Sequence, residues 1–149
     1  MDNKVLATYR KAYHEYAIHE TYEAGIALQG TEVKALRSGK ANLSEGWVSV
    51  ANGEAVLREL HISHYSHGNI MNHAETRERK LLLNRNELIK LEEKVAHKGF
   101  SIIPLQIYFK GRFIKVEIAL AKGKKQYDKR ESEKEKQSGR DIARAMRRE

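Results

Sequence analysis

The chain has 149 residues, with 28 Lys plus Arg against 20 Asp plus Glu, a net charge of +8 and no cysteine. That length suits one domain with an appended segment, and a core large enough to need no staples. Without cysteine, neither a disulfide framework nor a thiolate metal site can form. No apolar run reaches the roughly 18 residues of a membrane span, and MDNKVLATYRK lacks a signal-peptide core, so a cytoplasmic protein without a membrane partner is expected. The basic balance favours a polyanionic partner, nucleic acid before a membrane surface.

Residues 17–29, AIHETYEAGIALQ, are β-rich and predict a long strand kinked near Gly25. Thr31 can cap a short helix in which Val33, Leu36 and Arg37 form a buried stripe with a basic edge, stopped at Ser38-Gly39. WVSVA, 47–51, alternates as a half-buried strand, and Asn52-Gly53 is a two-residue hairpin turn leading into EAVLREL, 54–60. A polar loop over 61–77 precedes the apolar run RKLLL, 79–83. Asn84 or Asn86 can cap a helix reaching about His97, with Leu88, Leu91 and Val95 on one face and Gly99 ending it. FSIIPLQIYF, 100–109, and RFIKVEIALA, 112–121, form a second hairpin around Lys110-Gly111, with Pro104 at an edge or bulge. In the return strand Phe113, Lys115, Glu117 and Ala119 share one face, and Ile114, Val116, Ile118 and Leu120 share the core face.

The character changes after residue 122. Residues 123–149 hold ten Lys or Arg against six Asp or Glu, so their net charge is +4. Too little apolar surface remains there to offset the ordering entropy, which predicts a tail that is disordered when free. Within it Ser138 can cap a helix placing Ile142 and Met146 on one face, a helix that needs a surface. The expected fold is mainly β: a closed antiparallel barrel of the oligonucleotide-binding type over 1–122, with two flanking helices, and a basic tail over 123–149.

HISHYSHGNIMNH, 61–73, holds four of the seven histidines. A catalytic zinc site needs three convergent ligands and a second shell of carboxylates. His61, His64 and His67 do not converge on a strand, and between His61 and His73 there is no Asp or Glu; Glu59 and Glu75 only flank the stretch. No metal, other cofactor or catalytic group is expected. The spacing leaves plain loop histidines and RNA contacts both open. Gly123-Lys124-Lys125 lacks the leading spacing of a P-loop and reads as phosphate anchors.

Several stretches together resemble the SsrA-binding protein family, also called small protein B: YEAGIALQGTEVKALRSGKANL (22–43), HISHYSHGNIMNH, RKLLLN (79–84), PLQIYF (104–109) and KVEIALAKGKKQYDKR (115–130). The resemblance spans nearly the whole chain. It implies a non-enzymatic, monomeric bacterial adaptor that binds the tRNA-like domain of transfer-messenger RNA (tmRNA) and carries it to stalled ribosomes. There the barrel replaces the missing anticodon arm, and the tail folds as a helix in the empty message channel, for peptide tagging and ribosome rescue. The RNA-contacting positions it implies are His14, Glu23, Lys34, Arg37, Leu82, Asn84 and Lys115. Glu23 also reads as an acid paired with a nearby lysine, Leu82 as barrel closure and Lys115 as a solvated lysine. Gly123, Lys124, Lys125, Tyr127, Asp128, Lys129 and Arg130 would meet small-subunit ribosomal RNA near the decoding centre, with Ile142 and Met146 in the channel helix. The chain departs from the family pattern at Ala74-Glu75, where Asp-Pro is usual, and at His64, where proline is common. An alternative is a general tRNA- or rRNA-binding protein on the same fold; a third, a histidine-metal hydrolase, needs stoichiometric zinc.

Overall fold

The structure, a computed structural model, describes residues 4–65 and 73–124. Among the described residues, nine strands and three helices follow in the order β1 (Lys4–Thr8), α1 (Ala12–Glu15), β2 (Tyr16–Ile26), α2 (Gly30–Arg37), β3 (Ala41–Asn42), β4 (Trp47–Ala51), β5 (Glu54–Arg58), β6 (His61–Ile62), β7 (Arg79–Leu82), α3 (Arg85–Lys98), β8 (Ser101–Lys110) and β9 (Phe113–Gly123). Seven strands form one antiparallel sheet, ordered β1-β8-β9-β2-β7-β5-β4, and β3 pairs with β6 separately. The fold is thus mainly β with three helices. β4, at one edge of the hydrogen-bonded order, packs against β8 near the other edge.

Turn chemistry sets the hairpins as the residues dictate. Asn52 and Gly53 both have positive φ, 53° and 75°, as a two-residue turn between twisted strands requires. Pro104 sits where the β8–β9 register shifts, between Pro104 and Gln106, one residue before the carbonyl of Leu105 that accepts from Tyr9 N–H. Asn84, not Asn86, caps α3: its side-chain oxygen accepts the Glu87 N–H at 2.9 Å, and Glu87 returns the bond to Asn84 N–H at 3.3 Å.

Four expectations are corrected. α2 begins at Gly30 with Gln29 as its cap residue, not Thr31, because the Thr31 hydroxyl is used on His73 (2.8 Å) and the Gln29 N–H is satisfied by Glu32 Oε1 at 2.8 Å. The register irregularity of β2 falls between Ile18 and Glu20, not at Gly25. β1 and α1 were not predicted; β1 is a half-exposed edge strand, and the four residues of α1 are held by the burial of Ala12 against Ile103, Leu105, Ala119 and Ala121. Finally, β9 runs on through Gly123, which pairs with Tyr16, and Lys124 N–H donates to the Glu15 carbonyl at 3.0 Å, so the 122/123 boundary lies inside a strand.

The main core lies on one sheet face, where Leu36 of α2 and Leu91 of α3 meet Leu57, Ile107, Val116, Ile118 and Leu120. Inside it is a charge network. Glu32 and Arg79 are both fully buried, and Arg79 Nε donates to Glu32 Oε2. Arg77 donates to Glu32 Oε1. Arg79 also donates to the carbonyls of Leu60 (2.8 Å), Arg77 (2.9 Å) and Glu75 (3.2 Å). Burial pushes the Glu32 carboxyl up, but Arg77, the Gln29 N–H and Arg79 together outweigh it and hold it below the usual carboxylate range.

Because the folded carboxyl titrates low, its stabilisation is complete at neutral pH and is lost as pH falls through the acid range. Glu32→Gln leaves two arginines without their counter-charge and is expected to cost about 3–5 kcal/mol at neutral pH. It should also flatten the loss of stability on acidification. Urea unfolding at neutral pH and in mild acid measures both.

Candidate nucleic-acid interface

The sheet face opposite the main core carries a cross-strand row. Val5, Tyr108, Lys115, Gly25 and Leu82 pair in sequence across β1, β8, β9, β2 and β7. Alternation puts Leu82 on this face while Leu81 enters the core. Gly25 leaves a gap in the row between Lys115 and Leu82. A Cβ there would lie 3.2 Å from Leu82 Cβ, so this approach tolerates only glycine without movement.

Around the gap is a concavity of about 320 Å³ lined by Arg37, Leu82, Phe109, Arg112, Phe113 and Lys115, among others. Leu82 and Phe113 are 60% and 67% exposed, which water would not favour for a leucine and a phenylalanine without a partner. Two cations lie over rings: Arg37 is 5.2 Å from the Phe109 centroid and Lys115 Nζ is 5.8 Å from that of Phe113. Apolar faces with fixed cations suit an unpaired base flanked by phosphates.

Glu23 borders this surface on β2. Its carboxylate accepts from Tyr108 Oη and from Lys110 Nζ at 3.0 Å. The Tyr108 bond first, then Lys110, holds Glu23 below the usual carboxylate range. Burial and the same bond push the Tyr108 phenol up. An acid on a basic face is therefore neutralised locally and positions Lys110.

The structure thus brings together Glu23, Arg37, Leu82 and Lys115. Asn84 follows Leu82 by two residues, but its side-chain oxygen is engaged in capping α3. Lys34 lies on α2 with its ammonium 5.4 Å from the Tyr65 ring centroid. His14 stands apart: it is on α1, before the start of β2, roughly 30 Å of extended strand from Gly25. Of the tail residues, Gly123 ends β9 and Lys124 donates from Nζ to the Tyr13 carbonyl at 2.9 Å. Lys125, Tyr127, Asp128, Lys129, Arg130, Ile142 and Met146 lie outside the described residues. Phe109, Arg112 and Phe113 were not expected as site residues, although alternation had placed Phe113 on the Lys115 face.

The histidine stretch resolves into two arrangements, with His67 outside the described residues. His73 is buried; its Nε2 donates to the carbonyls of Ile62 (2.8 Å) and Ser63 (3.0 Å), which leaves Nδ1 to accept from the Thr31 hydroxyl at 2.8 Å. His61 Nε2 lies 2.8 Å from Glu75 Oε2, and His64 Nδ1 lies 3.8 Å from Glu75 Oε1. The His61 bond holds Glu75 below the usual carboxylate range. Among the described residues no three His, Cys, Asp or Glu side chains are grouped to hold a metal ion.

The fold and this surface define a basic β-sheet protein with a cation-lined aromatic platform, a class that binds polyanions. The SmpB protein family model matches residues 6–148. The SsrA-binding protein of Pelobacter propionicus is 51% identical over 146 residues, covering 98% of this chain and 96% of that protein. That of Bacillus cereus is 51% identical over 144 residues, covering 97% and 93%. A solved structure described as "tmRNA-SmpB: a journey to the center of the bacterial ribosome" superposes with a TM-score of 0.69 and 47% identity, over 80% of this chain and 85% of that one. The chain belongs to the SmpB family of SsrA-binding proteins.

His73→Ala would leave the half-buried Thr31 hydroxyl and two carbonyls unmatched, so a loss of about 1–3 kcal/mol is expected. A double-mutant cycle with Thr31→Val, read by thermal unfolding, should show clear coupling between the two positions.

Proposed function

We propose that this chain is a non-enzymatic adaptor that binds the tRNA-like domain of tmRNA and delivers it to stalled bacterial ribosomes for trans-translation. The observation that carries the RNA contact is the concavity over Gly25, where Arg37 and Lys115 sit on phenylalanine rings beside exposed Leu82. A splayed base stacks on Phe113 or Leu82, and Lys115, Arg112 and Arg37 meet its phosphates. Glu23 accepts from a base edge or ribose donor in exchange for Lys110. His14, Lys34 and Asn84 serve further contacts of the same RNA. The sheet acts as a curled barrel of the oligonucleotide-binding type, a reading supported by β4 packing on β8.

The segment from Gly123 enters the vacant message channel. Its net charge of +4 supports contact with small-subunit ribosomal RNA through Lys124, Lys125, Tyr127, Asp128, Lys129 and Arg130, while Ile142 and Met146 seat a helix formed there. The adaptor acts as a monomer in the bacterial cytoplasm. Among the described residues no helix is long and apolar enough to cross a membrane.

Competition for the full chain between the tRNA-like domain and ordinary tRNA, at about physiological salt, tests the reading. Preference for the tRNA-like domain is expected; equal affinity would reduce the protein to a general binder of folded RNA. Five neutralised phosphates predict a slope of log K against log salt of roughly −3.5 to −4.5. Lys115→Ala should reduce that slope by about 1. Phe113→Ala should lower affinity by roughly 5- to 100-fold through lost stacking, with stability nearly unchanged.

Truncation should follow Lys124, since cutting earlier removes partners of Tyr16 and Glu15. That shortened chain is expected to keep its affinity for the tRNA-like domain and to lose ribosome rescue in a reconstituted translation assay.

A further inference from the structure

A second aromatic cleft lies far from the concavity, where β4 packs against β8. Its volume is about 360 Å³, within the range of small-ligand sites, and Tyr16, Trp47 and Phe100 are its aromatic lining. Trp47 is 43% exposed although its neighbour Val48 is buried. The Arg58 guanidinium is 5.9 Å from the Trp47 centroid, steadied there by a 2.8 Å bond to Ser49 Oγ and by an ion pair with Glu78. Across the cleft, Lys122 Nζ lies 4.7 Å from the Phe100 centroid, and the His19 ring meets Phe100 edge-on at 4.7 Å. No carboxylate lines the cleft among the described residues.

We propose that this cleft is a stacking site for an unpaired nucleobase of an RNA strand that meets the protein at the root of its C-terminal segment. Two independent features select that occupant. The rings carry cations on both sides of the cleft, which matches a flat π-face with phosphates before and after it and does not match an acidic or purely apolar surface. The cleft also lies where the chain leaves the sheet: Tyr16 lines it and pairs with Gly123, and Lys122 covers Phe100. An RNA that meets the protein at this end of β9 therefore lies beside the cleft that Tyr16 and Trp47 line. The inference rests on the RNA-binding reading only for the chemical class of the partner; its site shares no residue with the concavity over Gly25.

Trp47 is the chain's single tryptophan, so its emission reports on this cleft alone. The full chain is titrated with a single-stranded RNA of about eight nucleotides, a length that one such surface can span. Saturable quenching of Trp47 is expected. Phe100→Leu and Lys122→Gln, each checked for an unchanged melting transition, should shift the midpoint by about tenfold. Phe113→Ala and Lys115→Ala should leave it in place. No quenching at concentrations where labelled RNA is bound, quenching that neither cleft variant shifts, or equal quenching by a short acidic peptide would overturn the assignment. Binding of the tRNA-like domain to the same four variants separates the two readings. Its loss only in the Phe113 and Lys115 variants supports the concavity, and its persistence there refutes the concavity while leaving the cleft result standing.

Discussion

A carboxylate with no exposed surface, Glu32, holds together elements that have few other reasons to meet. It faces Arg79 from β7 and Arg77 from the preceding loop, while Arg79 ties down the carbonyls of Leu60 and Glu75. Buried ion pairs of this kind contribute little net stability over an apolar alternative, but breaking one is costly. Their effect is on register: a fork of five donors accepts one arrangement of acceptors and rejects neighbouring ones. α2, which supplies Arg37 to the concavity over Gly25, is positioned by this network. His73 repeats the device at smaller scale, joining Thr31 of α2 to the carbonyls of Ile62 and Ser63 at the end of β6.

On the opposite face the physics is reversed. Leu82 and the Phe113 ring stand in water, the Glu23 carboxylate is paired by Tyr108 and Lys110, and Gly25 replaces a side chain where the row would otherwise close. The exposed leucine and ring raise the free energy of the isolated protein slightly, and the paired carboxylate keeps its charge off the cations around it.

Much of this was legible in the residues. Asn52-Gly53, Gly99, an asparagine cap at 84 or 86 and the alternation of 113–121 marked hairpins, helix ends and faces, because each depends on local stereochemistry. Arg79 shows where that reasoning stops. Its place in the alternation with Leu81 pointed inward while its charge pointed outward, and only the distant Glu32, 47 positions away, decides between them. Thr31 shows the same limit: a good helix cap by type, it was taken by a histidine 42 positions away. β1 and α1 escaped because a half-exposed edge strand and a single helical turn leave no period to read. Of the concavity's lining, Arg37, Leu82 and Lys115 were named through the resemblance, and alternation put Phe113 on the Lys115 face. Phe109 and Arg112 join the surface only through the β8–β9 turn.

β9 carries one feature further. Lys115 faces the concavity and Gly123 ends the same strand, hydrogen-bonded to β2 along its length. Eight extended residues span roughly 27 Å, and a paired strand neither stretches nor swivels. The strand therefore works as a ruler between the concavity and the point where the chain leaves the sheet. Its graduation is two residues, since a shift of one turns every side chain to the other face. Any two partners that met the protein at Lys115 and at Gly123 would be fixed in separation and in rotation at once, without either touching the other.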